Sequence, residues 1–396
     1  MRRLTSDRNI CLYIYIFTLA ITVSYAIWRQ VIMSDQAIEY SLYLMSVADG
    51  QIHLPADNIV GSCLTVTIVP ACIQRITHWD AELVFKIWPC VSYSIMPVFT
   101  YLISRKYMSK SYAILSSMIV LSSFYFMYYP ANGRVSVALG LLAGMLWGVL
   151  GKHYIWALVF GAGVIFSHYG TTYIALLLLS SSAAYHLLRN WKEMDTRWLC
   201  SILFVLVMTT GIWHWGVAWE SSRYTKGFIL NGIESAKTAL PNGGAEAPAI
   251  AEDKPGFYSL ESRDIVVQQA FGKYWSVMSF KQRLELVLSW LFVLLISAGL
   301  LYALLKRKLS AEHRIMAVVM YCLLVLSTVV PYVSKAYGII RVYFTALIVL
   351  APLAAIITRE SARRIKIHGE PVLAGMIGVY ALCTSGVVTW LLDSWL

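Results

Sequence analysis

The 396-residue chain is 59% hydrophobic and 13% charged, with a mean hydropathy of +0.65, whereas a soluble domain is roughly a quarter charged. This favours one polytopic helical bundle over a soluble domain on a single anchor, because runs long enough to cross a hydrocarbon core of about 30 Å recur along the whole length. The formal net charge of +11 does not point to nucleic acid: most of it lies in short loops between apolar runs, where it sets membrane orientation.

Met1 to Arg8 is basic, and the apolar run that follows is as long as a span and lacks a small-residue cleavage site. It is therefore expected to be a retained first helix rather than a signal peptide. Runs of about twenty apolar residues bounded by charge, Gly or Pro predict eleven spans, at 9–28, 83–104, 111–129, 134–150, 154–167, 170–188, 198–217, 286–305, 315–331, 340–358 and 372–391. The fifth is too short to cross unaided. It is expected to be tilted, or to form a broken pair with the sixth around Ser167-His168-Tyr169-Gly170. The predicted fold is all-α, a polytopic membrane helical bundle with extracytoplasmic interfacial helices. Its parts are a membrane module at 1–217 with a first outer loop at 29–82, an extracytoplasmic loop at 218–285, and C-terminal helices at 286–396.

With a cytoplasmic N-terminus, every compact basic cluster falls on one side. These clusters are Arg2, Arg3 and Arg8; Arg105, Lys106 and Lys110; Lys152; Arg189, Lys192 and Arg197; Lys306, Arg307, Lys308 and Arg314; and Arg359, Arg363, Arg364 and Lys366. One missed helix would scramble that agreement with the positive-inside rule. It predicts a multi-pass protein of the cell membrane with its C-terminus and loops 29–82 and 218–285 outside.

Within the first outer loop, apolar runs too short to span, such as 59–73, are expected to be interfacial helices. In the second, "PNGGAEAPAIAEDKPG" (241–256) has the composition of a mobile loop and 259–283 reads as amphipathic. The seven cysteines form no CxxC, which argues against a zinc or redox site. Only Cys63 and Cys72 share a predicted loop, where a disulfide between them is one option.

Ser34 is a good N-cap, so a helix is expected from Asp35, and the spacing puts Asp35 and Glu39 on one face a turn apart. Two such acids can take a proton from an acceptor hydroxyl or hold a divalent cation such as Mg or Mn. Equally, acids in a first turn simply complement the helix dipole. Arg134 opens the fourth span after "YYPANGR", His168 and Tyr169 sit at the outer end of the fifth, and Lys335 and Arg341 flank "AYGII" before the tenth. All are expected at the membrane face of Asp35. An arginine at a helix start opposes the dipole, which calls for an anionic partner such as a lipid phosphate or for snorkelling to headgroups. Trp28, Trp79, Trp88, Trp213, Trp215, Trp219, Trp275 and Trp290 fall near outer boundaries, as an interfacial aromatic belt does. Lys86 beside Trp88-Pro89 reads as a boundary residue.

In order along the chain, "SDQAIEY" (34–40), "NGR" (132–134), "FSHYGTTYI" (166–174) and "AYGIIRVYF" (336–344) resemble segments of the GT-C superfamily of membrane glycosyltransferases, most nearly its archaeal multi-span members. The likeness covers most of 1–360. It implies transfer of a sugar, with inversion, from a polyprenyl-phosphate donor to a lipid or protein acceptor on the outer face. Asp35 would match the candidate general base and Glu39 its partner or a metal ligand. Arg134, His168 and Arg341 would fall where the donor phosphate is expected, beside Tyr169 and Lys335. Many members carry a second acid near the start of the helix that Arg134 opens, and "RVSVALG" has none. With no soluble C-terminal domain expected before Leu396, the resemblance implies a simple lipid-linked transfer or help from a partner subunit.

Two other readings stand beside this one. A non-catalytic GT-C-fold lipid-binding or scaffold subunit of an envelope complex would account for the missing acid. A transporter or flippase of a lipid-linked or anionic solute would place ionisable groups at the midplane, whereas here they gather at one face.

Overall fold

The computed structural model describes residues 6–28, 35–50, 59–123, 126–190, 192–219, 265–330 and 338–385, without the side chains of Asp35, Ile59 and Asn190. The described residues are all-helical, with no strand among them. The N-terminal half comprises α1 (Asp7–Trp28), α2 (Asp35–Asp49), a 3-10 turn (Ile59–Ser62), α3 (Leu64–Thr77), α4 (Ala81–Tyr93), α5 (Ile95–Arg105), α6 (Lys110–Ser122), α7 (Gly133–Gly151), α8 (Tyr154–Ser167) and α9 (Tyr169–Asn190). There follow α10 (Met194–Thr210), which runs into a π-helical turn (Gly211–Val217), then α11 (Ile265–Ala270), α12 (Phe280–Lys306), α13 (Ala311–Val329), α14 (Ile339–Arg364) and α15 (Gly369–Thr384).

Eight helical segments are long and apolar enough to cross a bilayer, so the chain is a multi-pass membrane protein. Each of the eleven expected spans overlaps helix, the second as the pair α4 and α5 meeting at Ser94, but α6, α8 and α15 fall short of spanning length among the described residues, so eight rather than eleven segments qualify there. For α6 the cause is local. The apolar run continues beyond Ser122, but the Ser122 and Ser123 hydroxyls donate back to the carbonyls of Ile119 and Val120 at 3.2 and 2.6 Å, offering the backbone an alternative to the helix. The next described helical element is the 3-10 turn Tyr129–Ala131.

Burial sorts the spans into a centre and a lipid-facing ring. The apolar windows of α7 and α14 are 89% and 83% buried, whereas those of α1 and α10 are 22% buried. Lipid tails are as apolar as leucine, so the centre forms by close packing rather than hydrophobic burial. On α7, Gly140, Gly144 and Gly148 make a small-residue ridge. A Cβ on Gly140 would meet the Ser92 carbonyl of α4, and one on Gly148 the Ala157 backbone of α8.

One end of the bundle gathers the basic loops. There Tyr101 donates to Asp7 at 2.7 Å, Lys106 reaches the Leu150 carbonyl, Lys152 pairs with Asp195, and His186 Nε2 lies 2.9 Å from Glu312. Arg359 closes the set by pairing with Glu360 at 2.9 Å and donating to the Tyr107 carbonyl. The described members of the clusters assigned to one side by charge therefore meet on one side, while Arg2 and Arg3 lie outside the described residues. The opposite end carries α2, α3 and the starts of α7, α9 and α14.

Several expectations change. Cys63 and Cys72 are free thiols. Cys63 caps α3 and Cys72 lies within it, so nine residues of helix at 1.5 Å each hold their Cα atoms about 13 Å apart, beyond disulfide reach. The stretch expected as amphipathic over 259–283 is described only from 265. It holds the short α11, a turn, and a capping box of Ser279 with Gln282 that starts α12. The segment 241–256 lies outside the described residues.

Candidate functional site

The site is built on α2, whose faces are reversed relative to a helix in water. Gln36, Glu39, Tyr43 and Ser46 are buried, while Ile38, Leu44 and Met45 are exposed. That is the pattern of a helix whose outer face meets lipid and whose polar face meets protein. Tyr43 stacks on Phe85 of α4, with centroids 5.6 Å apart, and fixes the height of the helix.

Glu39 points at the N-terminus of α7. Its Oε1 accepts from Arg134 Nη1 at 2.9 Å, and the two side chains are 2% and 6% exposed. A Cβ on Gly133, the first residue of α7, would lie 2.6 Å from Glu39 Oε2. Glycine is thus what lets the carboxylate come up against the helix start, where the dipole favours it. Asn132, the N-cap, makes no side-chain cap bond. The anion that the position of Arg134 called for is therefore supplied, at least in part, by the chain itself. Cys63 stands close enough to feel both charges, and burial pushes its thiol up to about 11.

His168 occupies the break between α8 and α9, as the broken-pair expectation had it. Its backbone is extended, and its Nδ1 accepts the Thr171 N–H at 3.1 Å, so the imidazole acts as the N-cap of α9. An accepting Nδ1 places the ring proton on Nε2. The ring is 0% exposed, and Nε2 finds no hydrogen-bond partner among the described residues. Burial, then the charges of Arg341 and Arg134 and the neighbouring His214, hold it well below the usual imidazole range. At neutral pH it is a neutral ring presenting one buried N–H donor, a group costly to leave unpaired. The Tyr169 ring lies 4.8 Å from it.

Arg341 stands in the first turn of α14 after Gly338, whose φ of 82° is open to glycine alone at little cost. Its charge reaches His168. The structure thus brings Glu39, Arg134, His168, Tyr169 and Arg341 to one end of the bundle. Asp35 begins α2 one turn before Glu39, and its side chain is not described. Lys335 lies outside the described residues.

The sequence reading holds Gly133 only within "NGR" and Cys63 only as a disulfide option, and it misses His214. His214, in the π-helical turn, bonds the Ile165 carbonyl, and Trp213 beside it donates to the Ser62 carbonyl at 3.1 Å. Trp88 does the same to the Thr65 carbonyl. These two tryptophans staple the first outer loop to the bundle, while Trp28, Trp79 and Trp215 are exposed as belt residues are. Lys86 pairs with Glu82 on its own helix.

A divalent cation fits Glu39 poorly. Its Oε1 is committed to Arg134, and no group of three His, Cys, Asp or Glu side chains converges among the described residues. The sequence matches no protein-family model and no curated protein.

Proposed function

We propose that the chain is a GT-C-type membrane glycosyltransferase, moving a sugar from a polyprenyl-phosphate donor to a lipid or protein acceptor on the extracytoplasmic face. The observation that carries this reading is the buried Nε2–H of His168, without a partner among the described residues and within the field of two arginines at the face where α2 begins. A neutral donor flanked by cations suits a phosphate oxygen on which charge develops as the sugar departs. In this reading Asp35 takes the proton of the acceptor hydroxyl, the acceptor oxygen bonds to C1 of the sugar, and the C1–O bond to phosphate breaks with inversion. The electron pair stays on the phosphate, facing Arg341 and His168. Glu39 is a positioning residue that holds Arg134. The basic face is then cytoplasmic, by the positive-inside rule.

In proteoliposomes, Asp35→Asn is expected to abolish transfer while insertion and thermal unfolding stay as in the wild type. Wild-type turnover by that variant removes Asp35 from the mechanism. One observation favours a second reading, a non-catalytic lipid-binding or scaffold subunit: Glu39 is bound to Arg134 and α7 carries no second acid. Stable co-purification with a partner, and no transfer with any carrier offered, would decide for it.

A further inference from the structure

The far end of α14 carries a feature unrelated to the Glu39–Arg134 site. At 1.5 Å per residue, the 26 residues of α14 separate its two ends by about 39 Å. At the C-terminal end an open cavity of about 640 Å³ lies between α14, the α12–α13 turn and the start of α15, with Lys308, Arg359, Arg363 and His368 on its walls. Arg359 is spoken for by Glu360, which it holds through two N–H groups at 2.9 and 3.1 Å. Lys308 and Arg363 make no ion pair or hydrogen bond among the described residues. They come from different elements, the α12–α13 turn and α14, and the charge of Lys308 also reaches the Glu360 carboxylate on the same wall. The first residue of α15, Gly369, also lines the cavity, and a Cβ there would meet the Tyr112 hydroxyl at 2.6 Å. The start of a sixteen-residue helix, with Glu370 in its first turn, thus borders the same space. Glu370 is the remaining acid on the wall.

We propose that this cavity is a phosphate-binding site, in which Lys308, Arg363 and the N-terminus of α15 take up a phosphate or phosphomonoester group at the basic face of the membrane. Two unpaired cations and a helix start are the donor set a tetrahedral dianion uses. A volume of 640 Å³ admits a headgroup as readily as a free ion. The source is either inorganic phosphate or the headgroup of a lipid such as phosphatidic acid.

The test uses the full chain in phosphatidylcholine nanodiscs, with two probes. Inorganic phosphate is titrated at constant ionic strength against chloride; separately, phosphatidic acid is included at about a tenth of the lipid and its retention read by native mass spectrometry. Saturable binding in the first arm identifies the free ion, and retention in the second identifies the lipid. The variant K308Q/R363Q is expected to weaken the positive arm about tenfold, whereas R8Q/R197Q, which removes two exposed cations elsewhere on the same face, leaves it unchanged. A measurement without any variant is protection of Lys308 from amine acetylation by the probe, with Lys366 as the internal comparison. Binding in neither arm, equal loss in both variants, or equal protection of Lys308 and Lys366 overturns the proposal.

Discussion

The two ends of the bundle hold their charges in opposite ways. At the basic end, ion pairs are numerous and partly solvated: Lys152, 61% exposed, pairs with Asp195, and Arg105 shares Asp7 with Lys110. At the α2 end, the Glu39–Arg134 pair is sealed at 2% and 6% exposure, and His168 is wholly buried. Water screens the first kind of pair, and its loss is shared among neighbours. The second kind has been taken out of water, so losing one partner costs more than it does at the surface. The same chemistry is therefore cheap orientation at one end and a demanding commitment at the other.

This contrast is broken most severely by Glu39→Gln. It removes the charge of the carboxylate that Arg134 Nη1 holds at 2.9 Å in a buried pair and is expected to cost about 3–5 kcal/mol in detergent unfolding, most of which the double variant E39Q/R134Q recovers. A double variant as unstable as the single would refute the pairing as the cause. Next is Gly133→Ala. The added Cβ would sit 2.6 Å from Glu39 Oε2, and a loss of about 1–3 kcal/mol is expected. A stabilised G133A would show that the carboxylate moves aside freely.

His168→Asn is a subtler perturbation, since asparagine can still cap α9 but lacks the Nε2–H. Little stability should be lost at pH 8, and phosphate-dependent transfer should fall. Because the folded His168 is held below its ordinary value, an unfolded chain binds a proton near pH 6.5 that the native chain refuses, so stability falls as pH drops through about 6.5. In H168N that part of the acid sensitivity disappears, and identical pH profiles for the two proteins would contradict the buried neutral ring. The smallest effect is expected for Lys152→Gln, about 1 kcal/mol or less, with no change in transfer. A loss comparable to E39Q would erase the distinction between the two ends.

How much could be read beforehand differs by feature. Period and length fixed the long helices, because each must satisfy its own backbone in lipid, and the loop charges sorted the ends. The extended break at His168 was legible, since a fifth run of fourteen residues cannot cross. The early stop of α6 was less so, because side-chain hydroxyl bonds end it within an apolar run. That Asp35 and Glu39 sit one turn apart on a single helix was also plain. That Glu39 turns inward onto Arg134, 95 positions away, was not. Arg134 was expected to seek an external phosphate, and it finds a carboxylate of its own chain.

The sequence by itself determined that the chain is helical, crosses the membrane repeatedly, and gathers its basic loops at one end, because hydropathy and loop charge act locally. Only the tertiary structure decided which charges are buried together. Partner choice depends on how α2 and the start of α7 approach, and that approach is permitted by the absence of a side chain at Gly133. A missing atom leaves no periodic signal in a sequence. It shows only when the carboxylate that fills its place can be seen.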